Sequence, residues 1–271
     1  MSEKDREMAY ILSLGDRKEL FSAVMSLINR NAFLILDLGC GIGALTHLLA
    51  EEFPSTEIVG LDSSRYLLEK LRCNRTSANV LPVLADATNL PFRPECFDFV
   101  ATVHVLHEIF HFKGKQSLIY TLEDVCNSLR LDGQLIILDH ANPGKAPISI
   151  KLSDDLLGKL DEFASKFMVR KIFYKIESRG WVKMSLRDFY DFITKIWALG
   201  TKLEEEEMHE THTPFTVRGL SRLLEKVGFK VTYSQRLTPI SIHLEHYKID
   251  AISKKKLPKR HLVISAIKKC E

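Results

Sequence analysis

Leu34–Gly43 reads LILDLGCGIG. Four of its first five residues are apolar, so both faces of an extended segment are apolar, as in a strand buried on both sides. Three glycines follow at alternate positions, Gly39, Gly41 and Gly43, and a helical stretch begins at once over 44–53. A strand that ends in glycines and feeds a helix suits a nucleotide-like ligand. Glycine permits the tight turn and keeps a Cβ out of the ligand's way, while the helix N-terminus offers unpaired N–H groups. The spacing here is G-x-G-x-G. A nicotinamide dinucleotide fingerprint is G-x-G-x-x-G, so the third glycine falls one position too early for that cofactor.

Outward from this turn the strand–helix rhythm repeats. TEIVGLD (56–62) reads as a second strand, RYLLEKLRC (65–73) as a helix, NVLPVLADA (79–87) as a third strand and CFDFVATV (96–103) as a fourth. SLIYTLEDVCNSLR (117–130) is an amphipathic helix, halted by LDG before QLIILDH (134–140), the fifth strand. Upstream, Leu20, Phe21, Val24, Leu27 and Ile28 recur at helical spacing within 8–30. Strands alternating with helices over 31–140 predict a parallel sheet with helices on both faces. After His140 the rhythm breaks: ANPGKAP reads as loop, and 152–210 as helical segments with no convincing strand. It resumes with the helix TVRGLSRLLEKVGF (216–229), then KVTYSQRL and HLVISAIKK (261–269). No helix separates these last two strands, so they can pair as an antiparallel edge hairpin across a long polar excursion. The expected fold is α/β and Rossmann-like: a seven-stranded, mostly parallel sheet with an antiparallel last strand. Residues 1–140 and 216–271 would form that domain, and 141–215 a mostly helical cap inserted after strand five.

The bulk properties agree. The chain of 271 residues suffices for one large domain with an insertion. No run approaches the about 18–20 apolar residues of a membrane span, and MSEKDREMAY is charged where a secretory signal is apolar. Five cysteines (Cys40, Cys73, Cys96, Cys126, Cys270) include no CxxC pair, which argues against structural zinc and a disulfide framework and fits the cytoplasm. A net charge of +3 is too small to mark a nucleic-acid binder, and EEEE (204–207) and KKKLPKR (254–260) read as solvated surface.

Three acids sit at successive strand ends: Asp37 within the first, Asp62 closing the second, and Asp86, with no evident structural duty, after the third. Such positions line the crevice where parallel sheets bind ligands. Taken together, LDLGCGIG (36–43), VGLDSS (59–64), ADATNLPF (85–92), FDFVATVHVLHEI (97–109) and LRLDGQLIILDH (129–140) resemble the class I S-adenosylmethionine-dependent methyltransferases. The resemblance covers about residues 30–140 and, less specifically, 216–269. It implies S-adenosylmethionine as cofactor and S-adenosylhomocysteine as product. Gly39, Cys40, Gly41 and Gly43 would border the methionine and ribose, with Asp37 helping to hold the amino group. It further places Asp62 on the ribose hydroxyls, Ser63 beside the adenine, Asp86 and the Ala87 backbone on the adenine edge, and Val103 and His104 beside the methionine portion.

Methyl transfer from a sulfonium is an in-line displacement to which the protein adds orientation and, for some nucleophiles, a base. His104 falls at the rim where the acceptor would meet the methyl group, and either contacts the acceptor, as a base, or lines the pocket. His107 and Glu108 are further candidates there, with support of the loop-to-helix turn as their first reading. MHETHTPF (208–215) brings together His209, Glu210 and His212; structure is its first reading, a polar lid over substrate its second and a metal site its third, so no metal is expected. Thr213 and Thr216 would cap the helix that follows. The insertion's aromatics, among them Phe163, Phe167, Phe173, Phe189, Tyr190 and Phe192, read mainly as its own core. A small-molecule acceptor is the first reading. RNA or protein stays open, although the Asn/Asp-Pro-Pro-aromatic motif of amino-directed nucleic-acid methyltransferases is absent after strand four. An oxidoreductase and a catalytically silent binding protein are the rivals from other classes. The sequence leaves the oligomeric state open.

Overall fold

Strand β1 (Leu34–Leu38) lies between β2 (Glu57–Asp62) and β4 (Phe97–Val103), parallel to both, with Asp37 level with Gly60 and Ala101. Its last four residues are buried, which is why the segment has no polar face to spare. This computed structural model describes residues 17–28, 32–74, 77–237, 246–249, 252–253 and 257–269, together with Leu244. With β3 (Val80–Leu84), β5 (Leu129–His140), β9 (Phe229–Leu237) and β10 (His261–Lys268), the sheet has seven strands in the order β3-β2-β1-β4-β5-β10-β9. The four pairings from β3 to β5 are parallel.

The chain divides into two compact units. The sheet unit takes 17–139, 217–235 and 262–269, with helices α1 (Arg17–Met25), α2 (Ala44–Glu52), α3 (Arg65–Cys73), α4 (Gly114–Ser128) and, late in the chain, α8 (Val217–Lys226). Helix α3 starts where expected because Ser64 caps it, its hydroxyl accepting the Leu67 N–H at 3.3 Å, and Leu68 and Leu71 turn inward. A short turn of helix, Leu106–Glu108, and a π-helical turn, Ile109–Lys113, lead into α4, which therefore begins earlier than the sequence periodicity suggests.

The second unit takes 140–216 and the described residues of 236–261. It corrects the sequence reading in two ways. Alongside α5 (Asp154–Lys166), α6 (Leu186–Lys195) and α7 (Glu204–Met208) stands a three-stranded antiparallel sheet, β6 (Pro147–Lys151), β8 (Trp181–Ser185) and β7 (Tyr174–Ile176), in the order β6-β8-β7. PISIK and WVKMS do alternate, but over too few residues to stand out between helices. The stretch between β9 and β10 is also no mere polar excursion. Ile249 is buried in this unit's core, and Leu244, Tyr247, Ile252 and Leu257 pack against it, so the unit is built from two separate stretches of chain. Phe163, Phe167, Phe189, Tyr190 and Phe192 fill the core as expected, whereas Phe173 is 67% exposed. Cys270 and residues 254–256 of the basic run lie outside the described residues. No described helix is long and apolar enough to cross a membrane.

Candidate functional site

The glycine turn is tied to the ends of β1 and β2 by a small set of hydrogen bonds. Gly39 and Cys40 both donate to the Leu61 carbonyl, at 2.8 and 2.9 Å, and Gly43 donates to the Cys40 carbonyl at 2.9 Å. The Asp62 carboxylate completes the clasp: one oxygen accepts the Gly41 N–H at 2.8 Å, the other the Ser64 N–H at 2.8 Å. Asp62 thus has a scaffolding duty that the sequence does not reveal.

Glycine is required here by the chain itself as well as by space for a ligand. Gly39 and Gly43 hold φ of 74° and 90°; a Cβ would meet the Val105 side chain at 2.3 Å at the first and Leu71 at 2.1 Å at the second. Cys40 is buried, its sulfur packed against Gly60, so the cofactor contact implied for it could come only from its backbone. Burial pushes the thiol well above its ordinary range, helped by Asp37 and Asp62.

Asp37 lies inside the sheet unit and is 2% exposed. Burial raises its pKa to about 7, the nearby Asp62 adds to this, and the Thr46 hydroxyl, donating at 2.6 Å, works in the opposite direction. Asp86 corrects the sequence reading, since it does have a structural duty. One oxygen accepts the Thr88 N–H at 2.9 Å and the Thr88 hydroxyl at 2.8 Å, closing a turn after β3, and Lys113 stands 3.6 Å from the other. Those bonds, the Thr88 N–H first, hold the carboxyl below its ordinary range, so exposed Asp86 is a standing acceptor. Ser63, next to Asp62 in the chain, is exposed, and Ala87 and Val103 are half-buried.

At the end of β4, His104 is half-buried and sits at φ 57°, in the left-handed region, its N–H donating to the Leu138 carbonyl at 2.9 Å. His107 is buried, and its Nδ1 lies 2.8 Å from Asp139, whose other oxygen accepts the His107 N–H at 3.2 Å. This pins the start of the short helix to the end of β5, which is the supporting role read for His107. Glu108 is exposed. Asp139, fully buried, was missed by the sequence reading, although an acid inside the apolar run LIILD repeats the signal of Asp37 inside LILDL.

The histidines of 208–215 belong to the second unit and do not act together. Exposed His209 turns its Nδ1 onto the Glu205 carbonyl, while His212 lies against Glu210, Nε2 to Oε1 3.2 Å, and stacks on His140 with centroids 4.5 Å apart. Glu207, Glu210 and His212 approach one another closely enough to share a cation. That cation is already present as the Lys195 ammonium, fully buried, 2.6 Å from Glu207 and 3.1 Å from Glu210. The acidic run is therefore not plain solvated surface: Glu204 also accepts from Lys166 at 2.8 Å. Thr213 is likewise no helix cap; it is buried and donates to Asp191 at 3.2 Å.

Residues 35–133 match the family described as "Methyltransferase domain". A demethylmenaquinone methyltransferase of Thermotoga maritima is 31% identical over 144 residues, 53% of this chain and 59% of that protein. A tRNA (carboxymethyluridine(34)-5-O)-methyltransferase of Saccharomyces cerevisiae is 33% identical over 102 residues, 38% of this chain and 33% of that one. The chain therefore spans less than two thirds of the length of either relative. Among solved structures, the fold is shared with the 1,6-didemethyltoxoflavin-N1-methyltransferase of Burkholderia thailandensis, with TM-score 0.59 at 15% identity, covering 98% of this chain and 84% of that one.

Proposed function

We propose that this chain, whose residues 35–133 match a methyltransferase domain, is a class I S-adenosylmethionine-dependent methyltransferase that binds S-adenosylmethionine at the carboxyl ends of β1 to β4 and transfers its methyl group. The observation that carries the reading is the clasp of Asp62 on the glycine turn, with the acceptor Asp86 at the end of the next strand. The donor set suits the ligand. Asp62 would accept from two ribose hydroxyls, Asp86 from an adenine amino group, and Asp37, its carboxyl raised by burial, would accept from the ammonium of the methionine part.

The bound cofactor supplies a methyl group on a sulfonium, ready for displacement by an oxygen, nitrogen or carbon nucleophile. The protein's own part is to hold the acceptor in line and, where the nucleophile carries a proton, to remove it. His104 is the residue we assign to that contact. Its left-handed backbone is a strained state for a non-glycine residue, and such strain collects at functional positions. His107 and Asp139 set the turn that follows. The acceptor's class is not fixed by the scaffold, since one such fold serves many acceptors.

Asp62→Ala tests the site. It removes charge-assisted bonds to the ribose and loosens the glycine turn, so S-adenosylmethionine affinity should fall by about 1.5–3 kcal/mol, roughly tenfold to a hundredfold, in titration calorimetry. Unchanged affinity, or binding of NAD in place of S-adenosylmethionine, would overturn the assignment.

A further inference from the structure

The stretch 167–187 holds six basic residues, Arg170, Lys171, Lys175, Arg179, Lys183 and Arg187, against a single acid, Glu177. Strand pairing gathers them. In β8, Val182 and Met184 are buried, so Trp181, Lys183 and Ser185 face the other way. Register then places Lys175 of β7 and Ser149 of β6 beside Lys183, and Lys151 beside Trp181, all on that same outer face. A cleft of about 500 Å³ opens next to it, sharing Pro147, Lys183 and Ser185 with the face and adding Lys145, Lys171 and Phe173.

Charge and aromatic surface coincide here. Lys145, Lys171, Lys175 and Lys183 are exposed, and none has a carboxylate partner among the described residues. The cleft's own acid, Asp188, is already committed to Arg170 at 2.8 Å and to the Ser185 hydroxyl at 2.7 Å. Phe173 stands 67% exposed, with the Lys171 ammonium 5.4 Å from its ring centre, and Trp181 is half-exposed on the sheet face. Phe173 is not among the side chains that build this unit's core, so its ring is presented at the cleft edge together with the lysines.

We propose that the second unit binds single-stranded nucleic acid across the outer face of β6, β8 and β7 and the adjoining cleft. The lysines neutralise successive phosphates, and Phe173, with Trp181 beside the strand, offers flat surfaces to unpaired bases. An anionic lipid surface shares the charge and can seat a ring at its interface, so vesicle binding is the outcome that separates it from nucleic acid. The proposal concerns binding by this unit and stands whether or not the methyl-transfer reading holds.

Fluorescence anisotropy of the whole chain with labelled uridine and thymidine oligonucleotides of about twelve residues tests it, the two arms separating RNA from DNA. Binding should weaken steeply with salt, log K falling by about 0.7 per phosphate neutralised for each unit of log salt. Phe173→Ala should weaken binding about fivefold or more while leaving heparin, a polyanion without bases, unaffected. Lys175→Glu with Lys183→Glu should weaken both about tenfold or more. All three side chains are exposed, so unchanged unfolding curves will show the variants folded. No binding of either oligonucleotide at about 50 mM salt, binding indifferent to all three substitutions, an equal response of heparin and oligonucleotide to Phe173→Ala, or capture by phosphatidylserine vesicles alone would each overturn the proposal.

Discussion

Lys195→Met should destabilise the second unit by about 3–5 kcal/mol, the usual cost of removing one partner from a buried ion cluster. The ammonium is fully buried between Glu207 and Glu210, and its loss leaves two carboxylates facing each other with little water to screen them. Burial alone would lower the lysine's pKa; the attraction of Glu210 and Glu207 outweighs it, and the net direction is upward. A lysine raised in the folded state contributes stability that is fully present below its unfolded pKa of about 10.4 and is lost as pH rises through the folded value. At neutral pH the whole contribution is therefore in play. The chain's two tryptophans, Trp181 and Trp197, both lie in this unit, so their fluorescence during urea unfolding reports on it selectively. Adding Glu207→Gln and Glu210→Gln should recover most of the loss. A loss below about 1 kcal/mol in the single variant would show that the carboxylates find other partners.

His104→Asn should lower kcat by about 10²- to 10⁴-fold and abolish the acidic limb of its pH profile, near the histidine pKa of about 6.5. If His104 merely lines the pocket, KM changes and the profile of kcat stays intact. A second variant separates chemistry from folding. His104→Gly removes the Cβ that makes φ 57° costly, so stability should hold while the rate falls as far as in the asparagine variant. A glycine variant with full rate would sink the base assignment.

The sheet was legible because a parallel strand buried on both faces writes a mostly apolar run, and LILDL, EIVGLD and FDFVATV each do so between helical stretches. The glycine turn and its acids were legible for the same reason, since they interrupt those runs at fixed places. What the acids do was less visible. Asp86 and Thr88 form a local turn that the D-x-T spacing permits without demanding, and Asp62's grip on Gly41 spans 21 residues. In the second unit, three strands of three to five residues gave too short an alternation to read. The basic face escaped because its members are distributed over 145–187 and meet only through sheet register, whereas a net charge of +3 averages them against acids elsewhere. The run EEEE misled because the lysine that gathers Glu207 lies twelve residues away, on the inward side of α6.

Strand β10, the last of the described elements, is an interior strand: it lies between β5 and β9. A ribosome makes its residues after every other part of the sheet, so a nascent chain that ends before His261 carries β5, twelve residues long and largely buried in the finished fold, with one side unpaired. During that interval one edge of β5 is open to any other strand, and β9 has no neighbour to hold it. Completion of the sheet is thus a late, single-step closure in vectorial synthesis. Protease resistance of β5 should appear abruptly once residues 261–268 have cleared the exit tunnel; a gradual gain from shorter chains would mean that the rest of the sheet stands without its keystone.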